Sequence, residues 1–113
     1  MRVYKILAGA DWAAAKAAGR YEGAAVDLRD GFIHLSTAAQ AQETARLHFA
    51  GQTGLVVLSI DAERLGAALK WAPSRGGQFF PHLYGALDCA LVEDVTAAPL
   101  DAHGVPQLGE LAA

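Results

Sequence analysis

An imidazole and two hydroxyls, His34, Ser36 and Thr37, lie within four residues of one another in Asp-Gly-Phe-Ile-His-Leu-Ser-Thr. Phe32, Ile33 and Leu35 are strand formers, and Asp30-Gly31 in front of them is a turn signal. Thr37 with Gln40 three residues later reads as a capping box opening a helix. Strand alternation sends Phe32, His34 and Ser36 to one face and Ile33 and Leu35 to the other. His34 and Ser36 then stand side by side at the end of a strand, next to helical N–H donors that suit an anion or a phosphate. Serine nucleophilicity is disfavoured, because no Gly-x-Ser-x-Gly elbow surrounds Ser36.

A second cluster runs from Arg75 to Gly85: Arg-Gly-Gly-Gln-Phe-Phe-Pro-His-Leu-Tyr-Gly. Gly76 and Gly77 could let backbone amides approach a phosphate that Arg75 grips as a bidentate partner. The same glycines also make an ordinary hairpin turn, which is the more economical reading. Pro81 restricts the backbone in front of His82, and Tyr84 adds a phenol nearby. If His34 and His82 converge in one cleft, they could serve as acid and base, with Tyr84 assisting. Elsewhere the expectations are structural. His48 shares a helix face with Ala45 and Phe49 and reads as packed, and Trp71 reads as core or pocket wall. Asp27, Asp30, Asp61 and Glu63 fall at turns or caps, so no glycosidase-like carboxylate pair is evident. The single cysteine, Cys89, reads as a buried small hydrophobe. No metal is expected, since no local His or Cys spacing supports one.

The elements that would hold these groups can be read from the pattern. Residues 3–7 form a first strand, and residues 11–18 an Ala-rich helix with Asp11 as N-cap and Gly19 as stop. Residues 20–29 show neither period and read as a loop that could close over a cleft. A helix is expected from about Thr37 to Ala50. Leu55 to Ile60 is the strongest strand and should be central, covered on both faces. Short strands follow at 68–71, 78–80 and 90–95, and a tail with turn signals runs from residue 98. One domain is expected over residues 1–113, with its core at about 3–97 and a C-terminal tail at 98–113. Strands without regular intervening helices in the second half argue for α+β.

Composition fits a folded domain: 53% hydrophobic, 19% charged, net charge −3. Nothing in that balance calls for nucleic-acid binding. No run approaches a signal core or a membrane span, so a cytoplasmic protein is the expectation.

With those residues in view, the chain resembles the bacterial family catalogued as domain of unknown function 952. The resemblance runs from Val3 to about Val95. It is carried by the Tyr4-to-Trp12 segment, Asp-Gly-Phe-Ile-His-Leu-Ser-Thr, Ile60-Asp61, Lys70-Trp71 and Gly-Gly-x-x-Phe-Pro-His-Leu-Tyr-Gly. More distantly, the order of segments is similar to the catalytic half of NAD-dependent RNA 2'-phosphotransferases. Residues 4–7, 32–36, 59–61 and 76–78 stand where those enzymes carry their motifs. That likeness implies an ADP-ribosyltransferase-like fold, two small sheets around a cleft with a few flanking helices. It also implies NAD as substrate or ligand. The resemblance puts Lys5 and Arg75 on phosphate, His34 and Ser36 on ribose hydroxyls, Gln78 on the reacting sugar, and Tyr84 or Trp71 on a ring.

Two departures matter. Lys5 stands where imidazole is common, and Gln78 stands where a carboxylate would stabilise an oxocarbenium ion. The candidate site at this stage comprises His34, His82 and Gln78 for chemistry. Lys5, Ser36, Thr37, Trp71, Arg75, Gly76, Gly77 and Tyr84 are the candidates for binding. Three functions remain open: a nucleotide-like ligand site with transferase chemistry, a non-catalytic binding module, and a histidine-based hydrolase or isomerase.

Overall fold

Two apolar strands, far apart in sequence, pair along their whole length and fix the frame. In the computed structural model, which describes residues 1–113, the elements run in chain order as follows. They are β1 (Arg2–Ala8), α1 (Gly9–Ala18), β2 (Arg20–Tyr21), α2 (Ala25–Asp30), β3 (Ile33–His34), β4 (Ser36–Thr37) and α3 (Ala38–His48). Then come β5 (Leu55–Asp61), β6 (Leu69–Pro73), β7 (Phe79–Leu83), β8 (Leu87–Asp88) and β9 (Val92–Ala97). The architecture is mixed α+β, built from small antiparallel sheets and few helices. β4-β1-β5-β9 form a four-stranded sheet, β3-β7-β6 a three-stranded one, and β2-β8 a short ribbon. No helix is long and apolar enough to cross a membrane.

The register of β1 against β5, Val3↔Ile60, Lys5↔Leu58 and Leu7↔Val56, sets one face of the larger sheet. Period-two alternation makes that face apolar except at Lys5. It packs on Ile33, Leu35 and Leu83 near the second sheet and on Ala15 of α1. The opposite face carries Tyr4, Ile6 and Val57 and is covered by Ala41 and Ala45 of α3 and by Ala98 and Leu108. β5 is therefore buried on both sides, as its near-continuous apolar run requires. The helix entry read from the sequence is present: Thr37 N–H donates to Gln40 Oε1 at 3.1 Å.

Three local readings need correction. The strand around His34 is not continuous. Ile33 and His34 pair with Leu83 and His82 of β7, while Ser36 and Thr37 pair with Tyr4 and Val3 of β1. Leu35, buried between them, marks the change of sheet, so Ser36 turns toward α3 instead of continuing the His34 face. Residues 20–29 are not a loop: Arg20–Tyr21 pairs with β8, and Ala25–Asp30 is helical. That helix is too short to show a period; the Ala24 N–H bond to Asp27 Oδ2 at 2.7 Å starts it and Gly31, at φ 87°, ends it. His48 is exposed at the end of α3 and Cys89 only half-buried, so neither fills the core position expected.

The tail beyond residue 97 packs onto the larger sheet. Leu108 is 5% exposed, its N–H bonds Gln42 Oε1 at 3.1 Å, and Tyr4 Oη donates to the Ala112 carbonyl. Leu108→Ala should therefore lower stability by about 2–4 kcal/mol, read as a fall in the urea midpoint with an unchanged slope. An effect below about 0.5 kcal/mol, typical of exposed surface, would contradict this packing.

Candidate functional site

Lys5 alternates onto an apolar face, and an ammonium there must find acceptors or lose its charge. It finds three: Asp27 Oδ2 at 3.0 Å, Asp27 Oδ1 at 3.2 Å and the His34 carbonyl at 3.2 Å. Asp27, 2% exposed, also accepts from Ala24 N–H at 2.7 Å and His34 N–H at 3.0 Å. His34 Nδ1 lies 2.6 Å from Asp27 Oδ1. One buried carboxylate thus ties β1, α2 and β3 together. Burial pushes its acid strength down, but the Lys5 charge and the His34 and Ala24 N–H groups outweigh this and hold the carboxyl below the usual range. Burial in turn lowers the Lys5 ammonium, against the pull of Asp27. The chain passes so close to this carboxylate that a Cβ on Gly23, at φ 115°, would sit 2.8 Å from the Asp27 Cβ.

His34 is one-third exposed, and its Nε2 lies 3.0 Å from Asp30 Oδ2. Its ring stands 5.9 Å, centroid to centroid, from that of His82, its register partner on β7. His82 is 4% exposed, stacks on Phe32 at 3.9 Å and 16°, and has no hydrogen-bond partner at either ring nitrogen. Burial first, then the neighbouring His34, pushes its imidazole below the ordinary value of 6.5.

Lys5, Asp30, His34 and His82 border a cavity of about 600 Å³. It opens because β4 pairs only with Val3 and Tyr4, leaving the β1 edge beyond them without a strand neighbour on that side. A second polar group lies on its wall. Thr44 Oγ1 sits 3.1 Å from Ser36 Oγ and donates to the Gln40 carbonyl at 3.1 Å, and it accepts from Arg75 Nη1 at 3.3 Å. The Arg75 guanidinium lies 4.8 Å above the Phe80 ring and joins none of the ion pairs in the protein. A half-buried cation with no carboxylate in ion-pair contact, Glu43 being felt only through its charge, can receive an anion.

Lys5, His34, Ser36, Arg75 and His82, singled out from the sequence, all line this cavity. The others stand elsewhere. Gly76 and Gly77, at φ 64° and 77°, form the turn of the β6-β7 hairpin, and Gln78 is exposed beside them with its N–H on the Arg75 carbonyl. Thr37 caps α3, while Trp71 and Tyr84 are 40% and 42% exposed on the smaller sheet, away from the cavity. Lys5 lines the wall, but its three donors are already committed. The sequence reading placed Asp27 and Asp30 only at turns or caps, and it passed over Thr44. The signal for Asp27 was the Ala-Ala-Val-Asp…Gly pattern, in which an acidic N3 residue and a closing glycine mark a short helix.

The family model described as "Protein of unknown function (DUF952)" matches residues 6–95. The chain belongs to the DUF952 family. This DUF952 chain is similar to protein CC0527 from Caulobacter crescentus, at 59% identity. The crystal structure of CC0527 gives a TM-score of 0.94, with 96% of each chain covered. Its solution NMR structure gives a TM-score of 0.86, covering 96% of this chain and 93% of that one. No curated protein matches the chain.

Asp27→Asn should destabilise by about 3–5 kcal/mol, because it leaves the Lys5 ammonium buried without a counter-charge. Lys5→Met should cost less, since Asp27 keeps its His34 and Ala24 donors; equal losses in denaturant titrations would contradict this ranking. The pH dependence has two stages. His82, with its folded value depressed, contributes fully above 6.5 and loses that contribution as pH falls toward the lower folded value. Asp27 contributes fully above 3.8 and loses it as pH falls through its depressed value. The melting temperature should therefore decline first below about pH 6.5. His82→Phe, which keeps the stacking on Phe32, should remove that first decline, and its persistence would assign it to another group.

Proposed function

We propose that the cavity binds a phosphorylated, nucleotide-like small molecule, with NAD and ADP-ribose as first candidates. The observation that carries this reading is Arg75. Its guanidinium is half-buried, without a carboxylate partner, and oriented by Phe80 and Thr44 on the cavity wall. Keeping a cation in such a place costs desolvation that a bound anion would repay through charge-assisted hydrogen bonds. The volume suits a ligand of nucleotide size. The Ser36 and Thr44 hydroxyls line the wall beside the phosphate position, and Phe80 and Phe49 offer apolar wall.

Two small sheets meeting at a cleft are what an ADP-ribosyltransferase-like fold would present, and the proposed NAD site follows from that likeness. Gln78 stands outside the cavity, so the reading is one of binding, without a group placed to assist glycosidic cleavage. A second reading is proton transfer by His34, whose ring stands at the cavity with His82 behind it at 5.9 Å. In it His34 is the reachable ring, since the His82 nitrogens are shielded. A cytoplasmic setting, where such nucleotides are abundant, belongs to the same proposal.

Thermal-shift titration with NAD, ADP-ribose and nicotinamide tests the binding reading. Ligand at about a hundred times its dissociation constant adds about 2.7 kcal/mol of stability. ADP-ribose should raise the melting temperature of the wild type and leave folded Arg75→Gln unmoved. No shift with any of the three, or a shift that Arg75→Gln retains, would overturn the assignment.

A further inference from the structure

Binding at Arg75 leaves one contact in the cavity unexplained, that between His34 and Asp30. Both His34 ring nitrogens face carboxylates: Nδ1 is 2.6 Å from Asp27 Oδ1, and Nε2 is 3.0 Å from Asp30 Oδ2. Carboxylate oxygens only accept, so each of these positions is one that a ring N–H can fill.

The two carboxylates differ in how firmly they are held. The Asp27 side chain is 1% exposed and is fixed by Lys5 and two backbone N–H groups. The Asp30 side chain is one-third exposed, and its other support is Arg29 Nε at 3.0 Å, from a side chain that is 73% exposed. Rotating Asp30 outward breaks no buried contact. A loosely held carboxylate on an imidazole N–H, flanked by a guanidinium, has the surroundings of a bound anion. Arg29, Asp30, His34 and Arg75 all border the same cavity.

We propose that Asp30 occupies a second anion subsite, and that the ligand of this cavity carries two anionic groups, as a diphosphate does. One group sits on Arg75. The other takes the place of the Asp30 carboxylate on His34 Nε2 beside Arg29. The inference rests on the binding reading above and names its ligand class. Asp27 is the positioning residue: by accepting from Nδ1, it directs Nε2 to the position that Asp30 now fills. Asp30 thus competes internally with the ligand, and removing its charge should strengthen binding.

The probe is inorganic pyrophosphate, followed by calorimetry and by the ring ¹⁵N resonances of His34. The proteins are wild type, Asp30→Asn, Asp11→Asn and Arg75→Gln. Asp11 borders the same cavity but makes no contact with His34, so it controls for net charge alone. Asp30→Asn should bind about three- to tenfold more tightly than wild type, and Asp11→Asn should stay within about twofold. The His34 Nε2 resonance should move on saturation, and Arg75→Gln should lose binding. If Asp30→Asn gains no more than Asp11→Asn, or the His34 resonance stays fixed while Arg75-dependent binding persists, the second subsite is wrong and the first stands. If neither wild type nor Asp30→Asn binds pyrophosphate, the second subsite is wrong, and the ADP-ribose titration alone decides the first.

Discussion

A carboxylate with 2% exposure survives in a folded protein only where donors surround it, and Asp27 is the point on which this structure turns. Strand alternation places Lys5 on an apolar face between Val3 and Leu7, opposite Leu58. Asp27 answers that charge, starts α2 through Ala24, and holds both the backbone and the ring of His34. Three segments distant in sequence are thereby tied at one atom group. Replacing such a network by apolar side chains would often leave stability unchanged or improve it, so stability alone does not account for its presence. Its other product is geometric: a one-third-exposed imidazole with a fixed orientation at the edge of a cavity.

The cavity is a consequence of how the chain changes sheets. β3 and β4 together span only a few residues, and the turn at Leu35 sends His34 to the smaller sheet and Ser36 to the larger. β4 starts only at Ser36, opposite Tyr4, because the residues before it belong to the smaller sheet, so Lys5 to Ala8 of β1 stay uncovered on that edge. The uncovered edge, the short α2 helix and the end of α3 enclose the space. Arg75 reaches it from the β6-β7 hairpin, stacked on Phe80. The polar groups therefore come from β1, α2, β3, β4, α3, β7 and the β6-β7 turn, and only Arg29, Asp30, His34 and Ser36 are neighbours in sequence.

That explains which parts were legible. Leu55 to Ile60 announces a central strand because burial on both faces needs a continuous apolar run. Thr37 with Gln40 announces a helix because a capping box is local chemistry. The Gly76-Gly77 turn follows from glycine's access to positive φ, and the hairpin was the better reading of it. His34, Ser36 and Arg75 were recognisable as residue types able to meet an anion. The partnership of Lys5 with Asp27 was not, because the two are joined only through a face alternation and a six-residue helix without a period. Gln78, Tyr84 and Trp71 were expected at a pocket because the distant resemblance implies a sugar and a ring there. Gln78 lies in the exposed turn before β7, Tyr84 packs near Phe32 beyond its end, and Trp71 is exposed on β6.

The most direct test of the central claim is an amide NMR titration of the wild-type protein with ADP-ribose. The account predicts saturable shifts at Ser36, Thr44 and Arg75 and around His34, with the exposed aromatic surface of Trp71, Phe79 and Tyr84 unaffected. Shifts confined to that surface, or none at millimolar ligand, would contradict a phosphate-binding cavity between the sheets.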